Sequence, residues 1–157
     1  MKTASLKEIK DELKHASETE VLALCLELAR FKKENKELLT YLLFNASNEL
    51  RFVESVKAQM VLDLNDINTA TYYWMKKTIR KVLRNTKKYI RYSKKKETEV
   101  ALLLFFCQQL LLLEPSIRRN VTLWNIYNRQ LDLVRKSMSK LHEDLQYDFN
   151  KELEQMP

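Results

Sequence analysis

The chain has 157 residues, of which 45% are hydrophobic and 31% charged, so it can build a hydrophobic core in one domain. It contains no glycine and only two prolines. Hairpins, βα turns and phosphate-binding loops need glycine where φ is positive or where the backbone approaches a ligand closely. The composition therefore excludes β-rich and α/β classes and predicts an all-α fold, with a single domain over residues 1–157.

Capping signals divide the sequence into helices. The motifs Ser5-Leu-Lys-Glu8 and Ser17-Glu-Thr-Glu20 match the capping box that begins many helices. The predicted helices cover about 5–15, 17–44 with or without a break at 32–36, 47–64, 69–93 and 95–113. Because glycine is absent, we expect asparagines at the breaks to adopt the left-handed conformation at helix C-termini.

A buried central helix is predicted at about residues 97–113. Residues 101–113 are apolar nearly all round, which is typical of a helix covered on several sides. Its neighbours must surround it, so we expect a single-domain bundle or stacked helical array of five to six helices. The tetrapeptide Glu-Thr-Glu-Val begins at both residue 18 and residue 97, which leaves a solenoid-like duplication open.

The last segment, residues 117–155, is predicted to form one long amphipathic helix or a kinked helix pair. Apolar residues recur at steps of three and four from Ile117 to Phe149. An unbroken helix of this length would span about 50 Å, more than a domain of this size needs. We therefore expect residues 117–149 either to pack on the first three helices or to form a homodimer, with the acids near the end meeting the basic segment.

The positive charge is concentrated in one segment, residues 76–96, which holds eleven bases and no acid. The rest of the chain has 17 bases and 21 acids, so the net charge of +7 comes from this basic segment. At 100° per residue its bases fall opposite an apolar arc, with aromatic residues close by. The candidate anion-binding residues are Lys76, Lys77, Arg80, Lys81, Arg84, Lys87, Lys88 and Arg91, with the aromatic residues Tyr73, Trp74 and Tyr92.

Bases three and four residues apart repel one another, so an anionic partner is expected on this face. Nucleic-acid phosphate, RNA or DNA, suits the guanidinium groups, and the aromatic rings suit unpaired bases. An acidic protein is a second partner, whereas lipid fits less well because the opposite face is needed by the core. The alternative is a helical protein-interaction or scaffold domain, homodimeric in one version, whose basic face is solvated or paired internally.

Signals for catalysis, cofactors and metals are missing, so we expect a protein that is not an enzyme and needs no cofactor. Only two histidines occur, and Glu12 and His15 have the Glu-x-x-His spacing without the second pair that a di-iron site needs. Cys25 and Cys107 lie in apolar stretches and are predicted to be buried free thiols. Neither a secretory signal nor a transmembrane run is evident, which predicts a cytoplasmic protein.

Two stretches support a family resemblance. Residues 31–44 (Phe-Lys-Lys-Glu-Asn-Lys-Glu-Leu-Leu-Thr-Tyr-Leu-Leu-Phe) and 87–100 (Lys-Lys-Tyr-Ile-Arg-Tyr-Ser-Lys-Lys-Lys-Glu-Thr-Glu-Val) are similar to segments of an uncharacterised family of small all-helical bacterial proteins. The resemblance covers about a fifth of the chain. It implies a cytoplasmic all-helical domain and brings no active site or binding residue.

Overall fold

A computed structural model describes residues 1–156, which form an all-helical protein with eight α-helices and no strand. The chain divides into two compact units, an N-terminal unit Met1–Phe44 and a C-terminal unit Asn45–Pro157. A π-helical turn Tyr41–Asn45 and a 3₁₀ turn Ile117–Arg119 complete the helical structure. The helices are α1 Leu6–Leu13, α2 Glu18–Phe31, α3 Lys33–Thr40, α4 Glu49–Asn65, α5 Tyr72–Ser93, α6 Lys96–Leu111, α7 Val121–Met138 and α8 Glu143–Glu154.

Both predicted capping boxes are present in the N-terminal unit. The Ser17 hydroxyl accepts a hydrogen bond from the Glu20 amide, and the Glu20 carboxylate accepts one from the Ser17 amide at 2.7 Å. Ser5 and Glu8 make the same pair of bonds at the start of α1. These bonds favour the ionised carboxylate, and the bond from the backbone amide has the larger effect. The pKa of Glu8 and that of Glu20 are therefore lowered.

The charged cluster at 32–36 does break the second predicted helix. Lys32 has extended backbone angles, φ −140° and ψ 140°, so α2 ends and α3 begins on either side of it. The Asn35 side chain donates a hydrogen bond to the Leu28 carbonyl across this break. The helices α2 and α3 therefore pack as a hairpin, and this break accounts for one of the helices beyond the expected five to six.

The N-terminal unit has almost no buried core. None of the side chains of α1, α2 and α3 is buried, and Tyr41 is its one buried apolar residue. Cys25 is exposed, which corrects the prediction of a buried thiol at this position. A helix with apolar residues on every side and neighbours on only one leaves most of its leucines in water. The exposed large apolar side chains of α2 and of the π-helical turn after α3 are Leu22, Leu24, Leu26, Leu28, Phe31, Leu42, Leu43 and Phe44.

The C-terminal unit is built around α6, as its apolar surface predicts. Helices α4, α5 and α7 pack against α6, and α8 packs on both α6 and α7. Burial raises the pKa of the Cys107 thiol to about 12, and its sulfur donates to the Tyr127 carbonyl. The buried side chains of α6 are Thr98, Val100, Leu102, Leu103, Leu104, Phe106, Cys107 and Leu110.

The C-terminal segment consists of two helices, α7 and α8, separated at residues 139–142. The apolar face of α7 packs on α6. Tyr127, Leu131 and Val134 lie in the core, and Phe149 of α8 packs against it. The face that would join two copies through residues 117–149 is therefore used within one chain.

Two asparagines cap helix N-termini, and no asparagine among residues 1–156 adopts the left-handed conformation that we expected. The side chain of Asn48 accepts from the Arg51 amide at the start of α4, and Asn120 accepts from Leu123 at the start of α7. The one positive φ among residues 1–156 is that of Lys94, 60°, at the end of α5. The short asparagine side chain is as good an N-cap as any residue, so capping decides its position here.

A polar cluster fixes the turn between α5 and α6. The Glu49 carboxylate at the start of α4 accepts hydrogen bonds from the hydroxyls of Thr98 and Ser93. Its second oxygen lies 3.1 Å from the Lys95 ammonium. Because Thr98 and Ser93 are both buried, these bonds satisfy groups that water cannot reach. The end of the basic helix α5 is therefore held in place by α4.

Candidate nucleic-acid interface

Helix α5 presents its bases to solvent because its opposite face is anchored in the core. The Thr71 hydroxyl caps the helix by accepting from the Trp74 amide. Met75, Ile79 and Val82 are buried with less than a twentieth of their surface exposed. The bases of the opposite face, Lys77, Arg80, Lys81, Arg84, Lys87 and Arg91, are all exposed.

Four of these bases line one groove. Arg80, Arg84, Lys87 and Arg91 follow the spacing i, i+4, i+7, i+11, so they form a single stripe along α5. Across the groove, α7 contributes Arg129, together with the polar side chains of Thr122 and Asn125. The groove has a volume of about 770 Å³ and brings five cations from two helices to one surface. We call it the basic groove.

The floor of the basic groove is apolar. Leu103 of α6 lies between the two walls and is itself buried in the core. The partly buried side chains of both walls complete the floor, so the cations surround a surface that cannot hydrogen-bond. The apolar lining residues are Leu83, Ile90, Leu103, Ile126 and Leu133.

The positive charge of the groove is not neutralised by neighbouring helices. Glu99 of α6 is the single acid in its lining, and that carboxylate is already paired with Lys96. Among residues 1–156, none of the five groove cations has a carboxylate within 4.0 Å. The acidic helix α8 contacts α6 and α7, where Glu152 accepts from Gln108. Within one copy of residues 1–156, no acid of α8 forms an ion pair with a cation of the basic groove.

The remaining predicted bases lie outside the groove. Lys81 faces the other way, toward a second cavity of about 530 Å³ that Asp63 of α4 and Asp66 just after it also line. The Lys77 ammonium lies 5.2 Å from the Trp74 ring centre, and that of Lys88 lies 5.3 Å from the Tyr89 ring centre. Lys76 is half-buried and lines neither cavity. The basic segment is thus divided between two sides of α5.

Two of the three predicted aromatic residues are at the surface. Tyr73 is 66% exposed and Trp74 43% exposed, and their rings meet edge to face with centres 5.2 Å apart. Tyr73 precedes Arg80 by seven residues, which places it on the same stripe of α5 two turns earlier. Tyr92 is only 9% exposed and packs edge to face on Tyr89, so we remove it from the candidate surface.

The α7 wall of the groove is not among the residues predicted from the sequence. Thr122, Asn125 and Arg129 are spaced three and four residues apart, which puts them on one polar face of α7. That spacing is visible in the sequence, but nothing in the sequence says that this face lies opposite α5. The missing information is the packing of α5 and α7 on either side of α6.

Residues 1–156 contain no group of three or more histidine, cysteine, aspartate and glutamate side chains placed to hold a metal ion. In the same part of the chain, no helix combines the length and apolar character needed to cross a membrane. Comparison with family models, with curated proteins and with solved structures gives no match for this chain.

Proposed function

We propose that this protein binds nucleic acid through the basic groove and has no catalytic role. The observation that carries the proposal is the presence of five cations, on two helices, without an ion-pair partner among residues 1–156. Like charges held together on one surface destabilise a fold unless an anion relieves the repulsion. Phosphates of a nucleic-acid backbone supply such anions at regular intervals.

Arginine is suited to this partner. Four of the five groove cations, Arg80, Arg84, Arg91 and Arg129, are arginines, whose planar guanidinium group donates paired hydrogen bonds to phosphate oxygens. The stripe on α5 runs for about 16 Å at 1.5 Å per residue, which is long enough to meet several successive phosphates. An acidic protein would offer carboxylates, and we make it an outcome of the test.

Fluorescence anisotropy with a labelled oligonucleotide tests the proposal. We expect the wild type to bind with an affinity that falls as salt rises, because bound cations are released from the phosphates. The double variant Arg84→Glu/Arg129→Glu removes one cation from each wall. Its Kd is expected to rise at least about tenfold, and its salt dependence to become less steep by about 1.4 logarithmic units per decade.

The matched control is Lys7→Glu/Lys10→Glu, which makes the same change in net charge on exposed positions of α1. Binding by this control is expected to stay within about twofold of the wild type, since long-range charge alone is screened at physiological salt. An absence of wild-type binding would overturn the proposal. Equal weakening of both double variants would also overturn it, because net charge and not the groove would then control binding.

We infer a second candidate function, self-association, from the N-terminal unit. Twelve of the nineteen exposed large apolar side chains lie in residues 1–44. The same residues carry eight bases and eight acids, so two copies of this surface do not repel each other. Pairing of two α2–α3 hairpins as a four-helix bundle would cover the apolar groove of about 470 Å³ that Leu22, Leu26 and Leu43 line.

Sedimentation equilibrium tests the self-association. The wild type is expected to sediment as a dimer, and Leu26→Glu/Leu43→Glu as a monomer, because buried carboxylates without partners oppose the interface. The control Leu112→Glu changes an exposed leucine of the C-terminal unit and is expected to leave the dimer intact. The dissociation constant of a weak specific dimer is on the order of 100 µM. A wild type that stays monomeric up to about this concentration would therefore contradict the candidate.

A further inference from the structure

The lining of the basic groove favours one kind of nucleic acid. Its cations surround an apolar floor between α5 and α7, in a groove of about 770 Å³. A ligand that fills this groove must offer apolar surface as well as phosphate. An unpaired strand offers both, because the faces of its bases are free.

The apolar floor indicates what part of the strand lies deepest. Phosphates are satisfied by the cations of the walls, at the rim, and gain nothing from contact with Leu83, Ile126 or Leu133. The face of an unpaired base is apolar and gains by covering such a floor. In a duplex, the base faces are stacked on one another and unavailable.

An aromatic surface continues the stripe beyond the groove. Tyr73 lies seven residues before Arg80, about 10 Å farther along α5, and its ring is largely exposed. The Trp74 ring supports it edge to face. A strand that leaves the groove at Arg80 and continues along α5 therefore meets an aromatic ring on which another unpaired base can stack.

We propose, on the basis of the proposed function, that the basic groove is a single-strand binding site. In this site the phosphates lie on Arg80, Arg84 and Arg129, one base covers the floor, and a base farther along the strand stacks on Tyr73. The site distinguishes unpaired bases from paired ones. It does not distinguish one base from another, because the floor offers no hydrogen-bonding group. RNA and DNA strands share this chemistry.

The test compares oligonucleotides of equal length and charge per strand by anisotropy. A 12-nucleotide oligouridylate, the corresponding oligothymidylate, a 12-base-pair duplex and a 12-nucleotide abasic strand are measured at one salt concentration. We expect either single strand to bind at least about tenfold more tightly than the duplex, and the abasic strand to bind about tenfold more weakly than the strand with bases. The uridylate and thymidylate arms show which sugar the site prefers, and a tighter single strand of either kind supports the proposal.

Substitution of the aromatic ring gives a second readout. Tyr73→Ala is expected to weaken single-strand binding about tenfold and to leave duplex binding unchanged, because only unpaired bases stack on the ring. Tyr147→Ala, at an exposed tyrosine of α8, is the matched control and is expected to have no effect. Ultraviolet cross-linking to the oligouridylate should label Tyr73 in the wild type.

The outcomes separate the two proposals. Equal affinity for single strand, abasic strand and duplex, with binding still lost in Arg84→Glu/Arg129→Glu, would overturn the single-strand site and leave nucleic-acid binding in place. A Tyr73→Ala variant that binds single strands as the wild type does would also overturn it. Absence of binding to every oligonucleotide would overturn both proposals.

Discussion

The two units contain helices of similar character that have very different surroundings. Helices α2 and α6 are both apolar nearly all round, yet none of the α2 side chains is buried, whereas eight of those of α6 are. Helices α4, α5, α7 and α8 pack on α6, whereas α3 packs on α2. A unit of 44 residues is too small to bury the surface of such a helix. An apolar helix is buried only where enough neighbours surround it.

The C-terminal unit holds both the buried core and the basic groove. All the buried apolar side chains except Tyr41 belong to the C-terminal unit. The basic groove is built on that unit, from helices whose inner faces are fixed in the core. Rigid elements hold charged side chains at constant spacing better than exposed hairpins do, so the C-terminal unit is the better frame for phosphate recognition.

The largest expected difference between the units is in thiol reactivity. Cys25 is exposed, whereas Cys107 is buried with its pKa raised to about 12. We expect a thiol reagent to modify Cys25 completely in the native protein and to leave Cys107 unmodified until the C-terminal unit unfolds, because the thiolate is the reactive form. Mass spectrometry after labelling, with and without denaturant, measures both sites. Equal labelling of the two cysteines without denaturant would contradict the difference in burial between the two units.

Two phenylalanines test where the stability resides. Phe106 is fully buried in α6, and Phe31 is 77% exposed at the end of α2. Phe106→Ala is expected to lower the free energy of unfolding by about 3–5 kcal/mol, and Phe31→Ala by less than about 0.5 kcal/mol. Urea denaturation followed by circular dichroism measures both. If Phe106→Ala does not fold, Phe106→Leu supplies the comparison, and similar losses at the two positions would contradict the assignment of the core.

The Glu49 cluster is expected to have the next largest effect. Glu49→Ala leaves the hydroxyls of Thr98 and Ser93 without their acceptor in a buried place. We expect a loss of about 2–3 kcal/mol in the free energy of unfolding, because a buried polar group without a partner keeps its full desolvation cost. Glu49→Gln retains an acceptor and should lose less than half as much. Equal losses in the two variants would show that charge pairing with Lys95, and not the hydroxyl bonds, dominates.

Gln130 offers a smaller effect of the opposite sign. Its side chain is buried, and within residues 1–156 its Oε1 atom accepts no hydrogen bond, while its Nε2 atom donates to the Ile126 carbonyl. Gln130→Met keeps the length of the side chain and removes the unsatisfied oxygen, so we expect the free energy of unfolding to rise by about 1 kcal/mol. The control Gln155→Met, at an exposed position, should have no effect. A decrease in the melting temperature of Gln130→Met would contradict this account.

The smallest effect concerns the start of α2. The hydrogen bonds from Ser17 lower the pKa of Glu20 from its usual 4.5, so the bonds stabilise the helix fully above that value. This stabilisation is lost as the pH falls through the lowered pKa, where the carboxylate is protonated. Ser17→Ala should return the pKa of Glu20 toward 4.5, measured by NMR titration, while Glu8 in α1 titrates as in the wild type. An unchanged Glu20 titration would contradict the capping geometry.

The sequence predicts local features of the fold better than it predicts partners. Capping boxes at Ser5 and Ser17 and the apolar surface of α6 depend on residues close in the chain, and the structure confirms them. The division at residue 44, the exposure of Cys25 and the packing of α7 on α6 depend on contacts between distant residues. Periodicity shows that a helix has an apolar face, but it does not show what covers that face.

Some residues of the candidate site are evident in the sequence, and others become part of it only through tertiary packing. The cations of α5 are evident in the sequence as bases without acids, whereas Arg129 becomes part of the site only through the packing of α7. Lys81 has the same charge as Arg80 and lies next to it in the same helix. The rotation of about 100° between adjacent helical residues turns Lys81 toward Asp63. Charge pattern therefore identifies the helix, and tertiary structure identifies which side of it faces the groove.

Chemical-shift mapping with a 12-nucleotide oligouridylate tests the central claim most directly. Amide and arginine side-chain resonances are compared before and after addition of the oligonucleotide. We predict perturbations at Arg80, Arg84 and Arg129 and at the floor residue Ile126, with residues 1–44 unchanged. Perturbations on α5 without α7, or centred on the Lys81 side of the helix, would contradict the assignment of the basic groove as the binding site.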